Sequence, residues 1–273
     1  MPNQQAVVNF WNCETLGTVE LLKASYKSRR FPPHLHEEFC IGIMERGKAD
    51  LNYRGTYYPV SEGSVIILHC GEVHSNESVE GAYKMLYLKA NSVERIISEL
   101  VDRERGIPFI ERPIFNDVKL YQLIQQLHKS LDCGSIKTQQ EILIRNTFSF
   151  LFSKYADPHV THPSFDLEHK AVKQVKEYIN SFYFWNISLD EVSKLTHLSP
   201  FYLSRVFRKE LGLSIHAYLI QVRIHRAKNL LSAGCSASDV AAQTGFVDNS
   251  HLTRHFKRLV GVTPRQYIQE KNT

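Results

Sequence analysis

The sequence predicts an α+β protein of two domains: a small antiparallel β-barrel with flanking helices, followed by an all-α domain that contains one helical unit twice. Three observations carry this. The chain of 273 residues is long enough for two cores of ordinary size. Residues 19 to 88 read as short strands broken by turn residues, and the last third carries apolar residues at helical spacing. That last third also matches itself at a shift of 48 residues, becoming 49 after one inserted position.

The strands predicted in order are Val19 to Tyr26, Phe39 to Glu45, Ala49 to Tyr53, Thr56 to Val60, Ser64 to Leu68 and Tyr83 to Leu88. Glycines punctuate them where tight connections need positive φ: Gly47 in Glu45-Arg46-Gly47-Lys48, Gly55 after Arg54, Gly63 after Glu62 and Gly71 after Cys70. The texture then changes to amphipathic helices over Ser92 to Arg103, Asp117 to Leu131 and Thr138 to Lys154. In the second of these, Val118, Leu120, Tyr121, Ile124, Leu127 and Leu131 form one stripe. In the third the stripe is Ile142, Leu143, Asn146, Phe150 and Leu151. Such stripes cover a sheet or a partner, and the sheet is the simpler assignment.

Asp157-Pro158 through His162-Pro163-Ser164 is polar, twice interrupted by proline and without apolar period, which marks a linker. Residues 1–160 and 166–273 are the two predicted domains. The second opens on a helix whose face is Ala171, Val175, Tyr178, Ile179 and Phe182.

Composition sets the class. The 43% hydrophobic and 22% charged fractions suit a globular chain, and no apolar run approaches the ~20 residues of a membrane span. Met1 to Phe10 has neither a basic nor an apolar leader region, so a cytoplasmic location without membrane contact is expected. The five cysteines are scattered, with no Cys-x-x-Cys pair, and read as reduced thiols. Residues 1–160 hold 18 Lys+Arg against 19 Asp+Glu, whereas residues 161–273 hold 15 against 9. The basicity lies wholly in the last third, as expected of a surface that meets a polyanion.

The repeat says what that surface is built from. Val192 aligns with Val240, Thr196 with Thr244 and Leu198 with Phe246. After the insertion, Leu203 aligns with Leu252, Arg205 with Arg254, Phe207 with Phe256, Gly212 with Gly261 and Tyr218 with Tyr267. Each copy is a short helix (Leu189 to Leu195; Ala237 to Gln243), a tight turn and a second helix, the helix-turn-helix arrangement. Ser199 before Pro200, and Asp248 in the second copy, are N-caps that start the second helices. Leu203 with Phe207, and Leu252 with Phe256, bury one stripe. Phe201, Ser204, Arg205 and Arg208, or Asn249, Ser250, Arg254 and Lys257, are left on the other faces.

A lone arginine on a lone helix reads as a solvated charge. The same [Ser/Thr]-Arg-x-Phe-[Arg/Lys] string at the same point of two copies, in the basic half of the chain, reads instead as arginine presented to guanine edges in the major groove of double-stranded DNA. Between the copies, Ser214 to Ser232 is one amphipathic pattern ended by Gly234. Its nineteen residues span roughly 28 Å, so two reading helices fall about one DNA turn, ~34 Å, apart.

These residues resemble the DNA-binding domain of the AraC/XylS transcriptional regulators. The matching strings are Ser199-Pro200-Phe201-Tyr202-Leu203-Ser204-Arg205-Val206-Phe207, the Arg-x-x-x-Ala-x-x-Leu-Leu run from Arg223 to Leu231, Gly245-Phe246 through Phe256, and Gly261-Val262-Thr263-Pro264 with Tyr267. The resemblance implies base-reading roles at Phe201, Ser204 and Arg205 in the first unit and at Asn249, Ser250 and Arg254 in the second.

The barrel resembles the cupin-like sensor domain of the same family, on His34-Leu35-His36-Glu37-Glu38, the Gly47 turn, Pro59 to Gly63 and Gly71-Glu72-Val73-His74. Cys70 stands where that pattern usually has proline. His34, His36 and Glu38 alternate onto one predicted strand face, with His74 joining from another strand. Three readings stay open for them: contacts to a small-molecule effector, a metal cluster, or hydrogen bonds at the barrel mouth. Metal-binding cupins resemble His-x-His followed after three or four residues by Glu, which here reaches Cys40 or Ile41. The four residues are therefore assigned to an effector, and neither metal nor cofactor is expected. The resemblance implies a regulator, not an enzyme, with DNA, an effector and RNA polymerase as partners and a homodimer as an option. The alternative is a metal-dependent cupin enzyme fused to a DNA-binding domain.

Overall fold

The computed structural model describes residues 7–15, 18–100, 106–161 and 170–271. They form two compact units, one built on an antiparallel sheet with flanking helices and one that is helical apart from residues 31–34, so the α+β class read from the sequence holds.

The sheet unit contains β1 (Val7–Glu14), β2 (Thr18–His34), β3 (Phe39–Tyr53), β4 (Thr56–Ser61), β5 (Val65–Leu68) and β6 (His74–Leu88). After α1 (Ala90–Leu100) come β7 (Pro108–Phe109), β8 (Ile114–Phe115), α2 (Val118–Asp132), α3 (Lys137–Tyr155) and β9 (Asp157–Thr161). The seven-stranded sheet runs β1-β2-β6-β3-β5-β8, with β4 also on β3. β1 was not anticipated, although Val8 and Phe10 are buried and alternate with exposed Val7 and Asn9.

The largest revision concerns Gly47. The sequence places it in a turn between two strands, but β3 continues through it with register shifts at Met44/Arg46 and Ala49/Leu51. These bulges divide β3 into a first half paired with β5 and a second half paired with β4, while β6 follows both halves. Gly47 lies opposite Gly81 of β6. A Cβ on Gly47 would meet the Glu80 carbonyl oxygen at 2.0 Å, and one on Gly81 would meet that of Arg46 at 1.9 Å. Glycine is needed there for close backbone approach as well as for positive φ.

α1, α2 and α3 cover one face of the sheet. Val93, Ile96, Leu120, Ile124, Leu127, Phe148 and Leu151 share a core with Leu21, Phe39, Ile41, Ile43, Val65, Ile67 and Leu86. Asp117 caps α2 by accepting from the Leu120 amide at 2.9 Å. The α3 stripe is rotated from its predicted position: Gln140, Ile144, Thr147, Phe148, Leu151 and Phe152 are buried, whereas Ile142 is 52% exposed. Two polar residues on the buried face, Gln140 and Thr147, explain the misreading. Gln140 accepts from Thr15 at 2.5 Å and donates to the Ser130 carbonyl at 3.3 Å, and Thr147 donates to the Leu143 carbonyl at 2.7 Å. The segment read as a linker is a strand over its first five residues, because β9 pairs with β7. Residues 101–103 of the first predicted helix, 162–164 of the linker and the predicted domain start near residue 166 lie outside the described residues.

The helical unit contains α4 (Lys170–Phe182), α5 (Leu189–Thr196), α6 (Pro200–Leu211), α7 (Ile215–Ser232), α8 (Ala237–Gln243), α9 (Asn249–Val260) and α10 (Pro264–Lys271). α7 lies at its centre, against α4, α6, α8, α9 and α10. The amphipathic reading of α7 is corrected accordingly: Tyr218 to Ile224 are seven consecutive buried residues.

Two glycines of positive φ separate contact from conformation. Gly55 (φ +75°) has nothing within 4 Å of an added Cβ, so Gly55→Ala is expected to cost about 1–2 kcal/mol for its left-handed backbone alone. Gly81→Ala adds a backbone collision and is expected to cost about 1–3 kcal/mol more. Urea denaturation of both variants checks this, and equal losses would refute the bulge contact.

Candidate nucleic-acid interface and histidine cluster

The two helix-turn-helix units repeat in physical detail. Ser188 and Ser236 cap α5 and α8, and the first forms a capping box with Glu191. Near the end of each helix a threonine hydroxyl bonds back one turn, Thr196 to the Val192 carbonyl at 2.9 Å and Thr244 to that of Val240 at 2.6 Å. The turn needs a left-handed residue next. The second copy uses Gly245 (φ +77°) and the first uses His197 (φ +55°), which accepts strain that glycine avoids.

Ser199 accepts from the Tyr202 amide and Asp248 from that of His251, starting α6 and α9. Leu203, Phe207, Leu252 and Phe256 have no exposed surface. Phe207 meets Tyr218 edge-on at 5.8 Å and Phe256 meets Tyr267 at 5.4 Å, so each second helix is fixed in the same rotation. Gly212 and Gly261 end the helices in the left-handed region.

That rotation decides what faces outward. Phe201, Arg205, Arg208, Asn249, Ser250, Arg254 and Lys257 are exposed, and Ser204 is half-buried. All eight residues predicted to meet DNA thus lie on the two repeated helices, at equivalent or adjacent positions. Arg205 lies 5.3 Å over the Tyr202 ring, which steadies its guanidinium without neutralising it. Val247, the residue inserted in the second turn, is 87% exposed beside the N-cap.

Sequence reasoning passed over two histidines on α9. His251 and His255 are one turn apart with rings 4.7 Å apart, both near Phe246. Desolvation, then the Arg254 charge, lowers the His251 pKa. Desolvation, followed by His251, Arg254 and Arg258, pulls His255 down to about 4. Their neutral forms leave the positive charge of α9 to Arg254, Lys257 and Arg258.

His34, His36 and His74 come together: each offers a ring nitrogen, and these atoms lie within 4.8 Å of one another. Strand alternation is not the cause, which corrects the prediction. His34 ends β2, residues 35–38 leave the strand, and β3 begins at Phe39. Glu38 is half-buried and is not a member of the converging group. The Gly71 amide instead donates to the His36 carbonyl at 2.7 Å, fastening the turn before β6 to the β2–β3 connection.

Two rings are oriented by backbone. Nδ1 of His34 lies 2.8 Å from the Pro32 carbonyl oxygen, and Nδ1 of His74 lies 3.2 Å from that of Glu72. A proton on each Nδ1 leaves Nε2 as an acceptor. Burial lowers the His34 pKa, which favours the neutral ring. The His36 ring packs 5.0 Å from His74 and 5.1 Å from the buried Tyr87.

The loop that carries His74 is itself held by side chains. Arg54 donates to Glu72 at 2.5 Å and to the Glu111 carbonyl at 3.1 Å, and lies over the Phe109 ring at 4.5 Å. His69, 2% exposed, accepts from the Ile110 amide at 3.1 Å and stacks on Phe109. Arg54 and His69 were missed because each sits in a turn whose glycine dominates the sequence signal. Burial raises the Cys70 thiol to about 12, keeping it protonated.

Comparison with known proteins agrees with both halves. Residues 192–270 match the model of a helix-turn-helix domain, and residues 16–145 match that of the AraC-like ligand binding domain. An uncharacterized HTH-type transcriptional regulator of Bacillus subtilis, YbfI, is 30% identical over 231 residues, covering 82% of each chain. The fold resembles ToxT of Vibrio cholerae. An apo structure of a ToxT variant aligns with TM-score 0.61 at 17% identity over 98% of both chains. An unsaturated fatty acid-bound wild-type structure aligns with TM-score 0.60 at 17% identity over 99% of this chain and 97% of that one.

The depressed pKa values on α9 have a definite sign. Between the ordinary value of 6.5 and about 4, the unfolded chain binds more protons at His255 than the folded chain, so stability falls as pH drops through that window. His255→Gln is expected to lose less melting temperature than the parent between pH 7 and pH 5, measured by calorimetry. An identical loss in the two proteins would show that His255 is not desolvated.

Proposed function

The chain belongs to the AraC family of helix-turn-helix transcriptional regulators, and from that premise we propose how its parts divide the work. Residues 166–273 read double-stranded DNA through α6 and α9, and residues 1–160 bind a small-molecule effector that modulates the reading. The observation that carries this is the repetition of one outward-facing pattern, Ser-Arg or Thr-Arg before a buried phenylalanine, on two helices of matched caps and matched rotation.

Arg205 and Arg254 donate to guanine edges, Asn249 pairs with adenine, and Phe201 lies against thymine methyl groups. Ser204 and Ser250 add hydroxyl contacts. Arg208 and Lys257, in the last turns of their helices, hold phosphates. RNA polymerase and a second copy of the chain are further partners in this reading, in the cytoplasm where the DNA is. Val118 and Ile136, 74% and 69% exposed, offer the second copy an apolar contact. Among the described residues, no helix is long and apolar enough to cross a membrane. The relatives are named as regulators, which supports a chain without catalysis.

The effector contacts His34, His36, Glu38 and His74. A cluster whose rings are oriented by backbone carbonyls presents fixed polar groups, as a ligand site requires. A second reading rests on the same convergence: three imidazoles within 4.8 Å suit a divalent metal ion with an open position, in a sensing rather than catalytic role. An effector of either kind must bind two arrangements of the protein unequally.

Arg205→Ala and Arg254→Ala are each expected to relax sequence choice by about 1–3 kcal/mol per lost base contact, read by selection from random duplexes. Recovery of the parental motif by both variants would assign these arginines to phosphate alone.

For the cluster, thermal-shift measurements on the full chain with a metabolite panel that includes unsaturated fatty acids, and separately with zinc(II), identify what it binds. His36→Ala is expected to abolish the stabilisation while DNA binding persists. A variant that melts early yet keeps the parental ligand response would reduce the cluster to a folding role.

A further inference from the structure

Arg223 is the ninth residue of α7, 6% exposed, in the middle of the helical unit. Its Nε donates to the Tyr183 carbonyl at 2.7 Å and its Nη2 to the Trp185 carbonyl at 2.8 Å. Both acceptors belong to the connection between α4 and α5, which leads directly into the first helix-turn-helix unit. The same guanidinium lies 5.8 Å from the ring centroid of Phe246, in the turn of the second unit. Among the described residues no carboxylate pairs with it. Desolvation depresses its pKa accordingly, so the site retains a cation at a cost.

Gly245 belongs to the same junction. A Cβ at that position would meet the Phe184 carbonyl oxygen at 2.6 Å and Nη2 of Arg223 at 2.9 Å. The turn of the second unit thus rests directly on the α4–α5 connection of the first, with the guanidinium sealing the edge. The planar fork of arginine suits this place, because two carbonyls from alternate residues are reached at once, which a lysine ammonium on its flexible stem does not reproduce.

α7 by itself links the units through its two ends, at Gly212-Leu213-Ser214 and Ala233-Gly234-Cys235. α7 also packs against α4 and α6 on one side and α8, α9 and α10 on the other. The Arg223 junction adds to this packing a direct hydrogen-bonded tie between the connection before α5 and the turn between α8 and α9, away from both ends of α7.

We propose that Arg223 is a positioning residue for DNA reading: by clasping the α4–α5 connection beneath the Gly245-Phe246 turn it fixes the separation and rotation of α6 relative to α9, and so makes the protein select bipartite sites by their spacing. The inference rests on the assignment of α6 and α9 to DNA. A rigid reader loses one of its two contact sets when the half-sites move apart or rotate, whereas a hinged reader follows them.

The experiment uses the full chain and a duplex it selects from a random pool, together with the same duplex carrying one or two base pairs inserted between the half-sites. The quantity read by fluorescence anisotropy is the ratio of affinities for native and expanded spacing. The parent is expected to discriminate by roughly a hundredfold, the cost of one lost half-site. Arg223→Ala is expected to lower affinity for the native site about tenfold and to shrink the ratio to a few-fold. Arg223→Lys lies between, and Gly245→Ala, which pushes the junction apart from its other side, shrinks the ratio while Arg223 is intact.

A melting curve accompanies each variant, since a general loss of stability lowers both affinities together and leaves their ratio in place. A parental ratio in any folded variant of Arg223 or Gly245 overturns the proposal. A parent that tolerates the inserted base pairs as well as its variants do overturns it too, because such a reader is hinged; a selected duplex that carries one half-site alone would refute instead the two-helix reading on which the proposal stands.

Discussion

The burial of one leucine and one phenylalanine, four residues apart on each of two helices, is the constraint on which the rest of the helical unit depends. Leu203 with Phe207 and Leu252 with Phe256 are wholly enclosed, each side chain contributing on the order of 1.5–3 kcal/mol, and this sets the rotation of α6 and α9. With the rotation set, Arg205 and Arg254 have no route inward and face solvent. The aromatic contacts to Tyr218 and Tyr267 and the paired caps Ser199 and Asp248 lock the same rotation from opposite ends. The proposed reading surface is therefore a by-product of packing. Its chemistry is written in the residues that packing leaves out.

The sheet unit works on a different principle, in which polar groups are held by other polar groups. The histidine cluster is assembled by the Gly71 to His36 hydrogen bond and by carbonyls that orient His34 and His74. Behind it, Arg54 joins Glu72 of the His74 loop to Glu111, and β7 beside that contact pairs with β9, the strand at the end of the described part of the unit. A cluster held this way has little freedom of its own. In the proposed sensing role, ligand contact at the rings would bear on the loops that hold them.

How much of this was legible in the sequence depended on whether an element's signal was local. The repeat was fully legible, because Leu203, Phe207, Gly212 and Tyr218 recur as identities, and the same physics put the eight residues assigned to DNA on two matched helices, seven of them exposed and Ser204 half-buried. The strands were legible only where apolar residues alternate. Residues 74–82 of β6 are mostly polar and become strand through pairing with the second half of β3, a long-range cause absent from any local window. Gly47 was read as a turn because positive φ suits a turn equally well, and only its partner Gly81 reveals the bulge. The α3 face was misread because two hydrogen-bonded polar residues occupy it. The histidines were singled out for the wrong reason, strand alternation, and brought together by loop hydrogen bonds. Arg223 stood within a recognised motif, yet its carbonyl partners lie some forty residues earlier in the chain.

The central claim is that one chain reads two successive major grooves with α6 and α9. Methylation-interference footprinting of the full chain on a selected duplex tests it most directly, since it marks the guanines whose major-groove edges must be free. The account predicts two interfering clusters on one face of the DNA, centred about 10.5 base pairs apart, the spacing of successive major grooves. A single cluster, or two clusters on opposite faces, would contradict it.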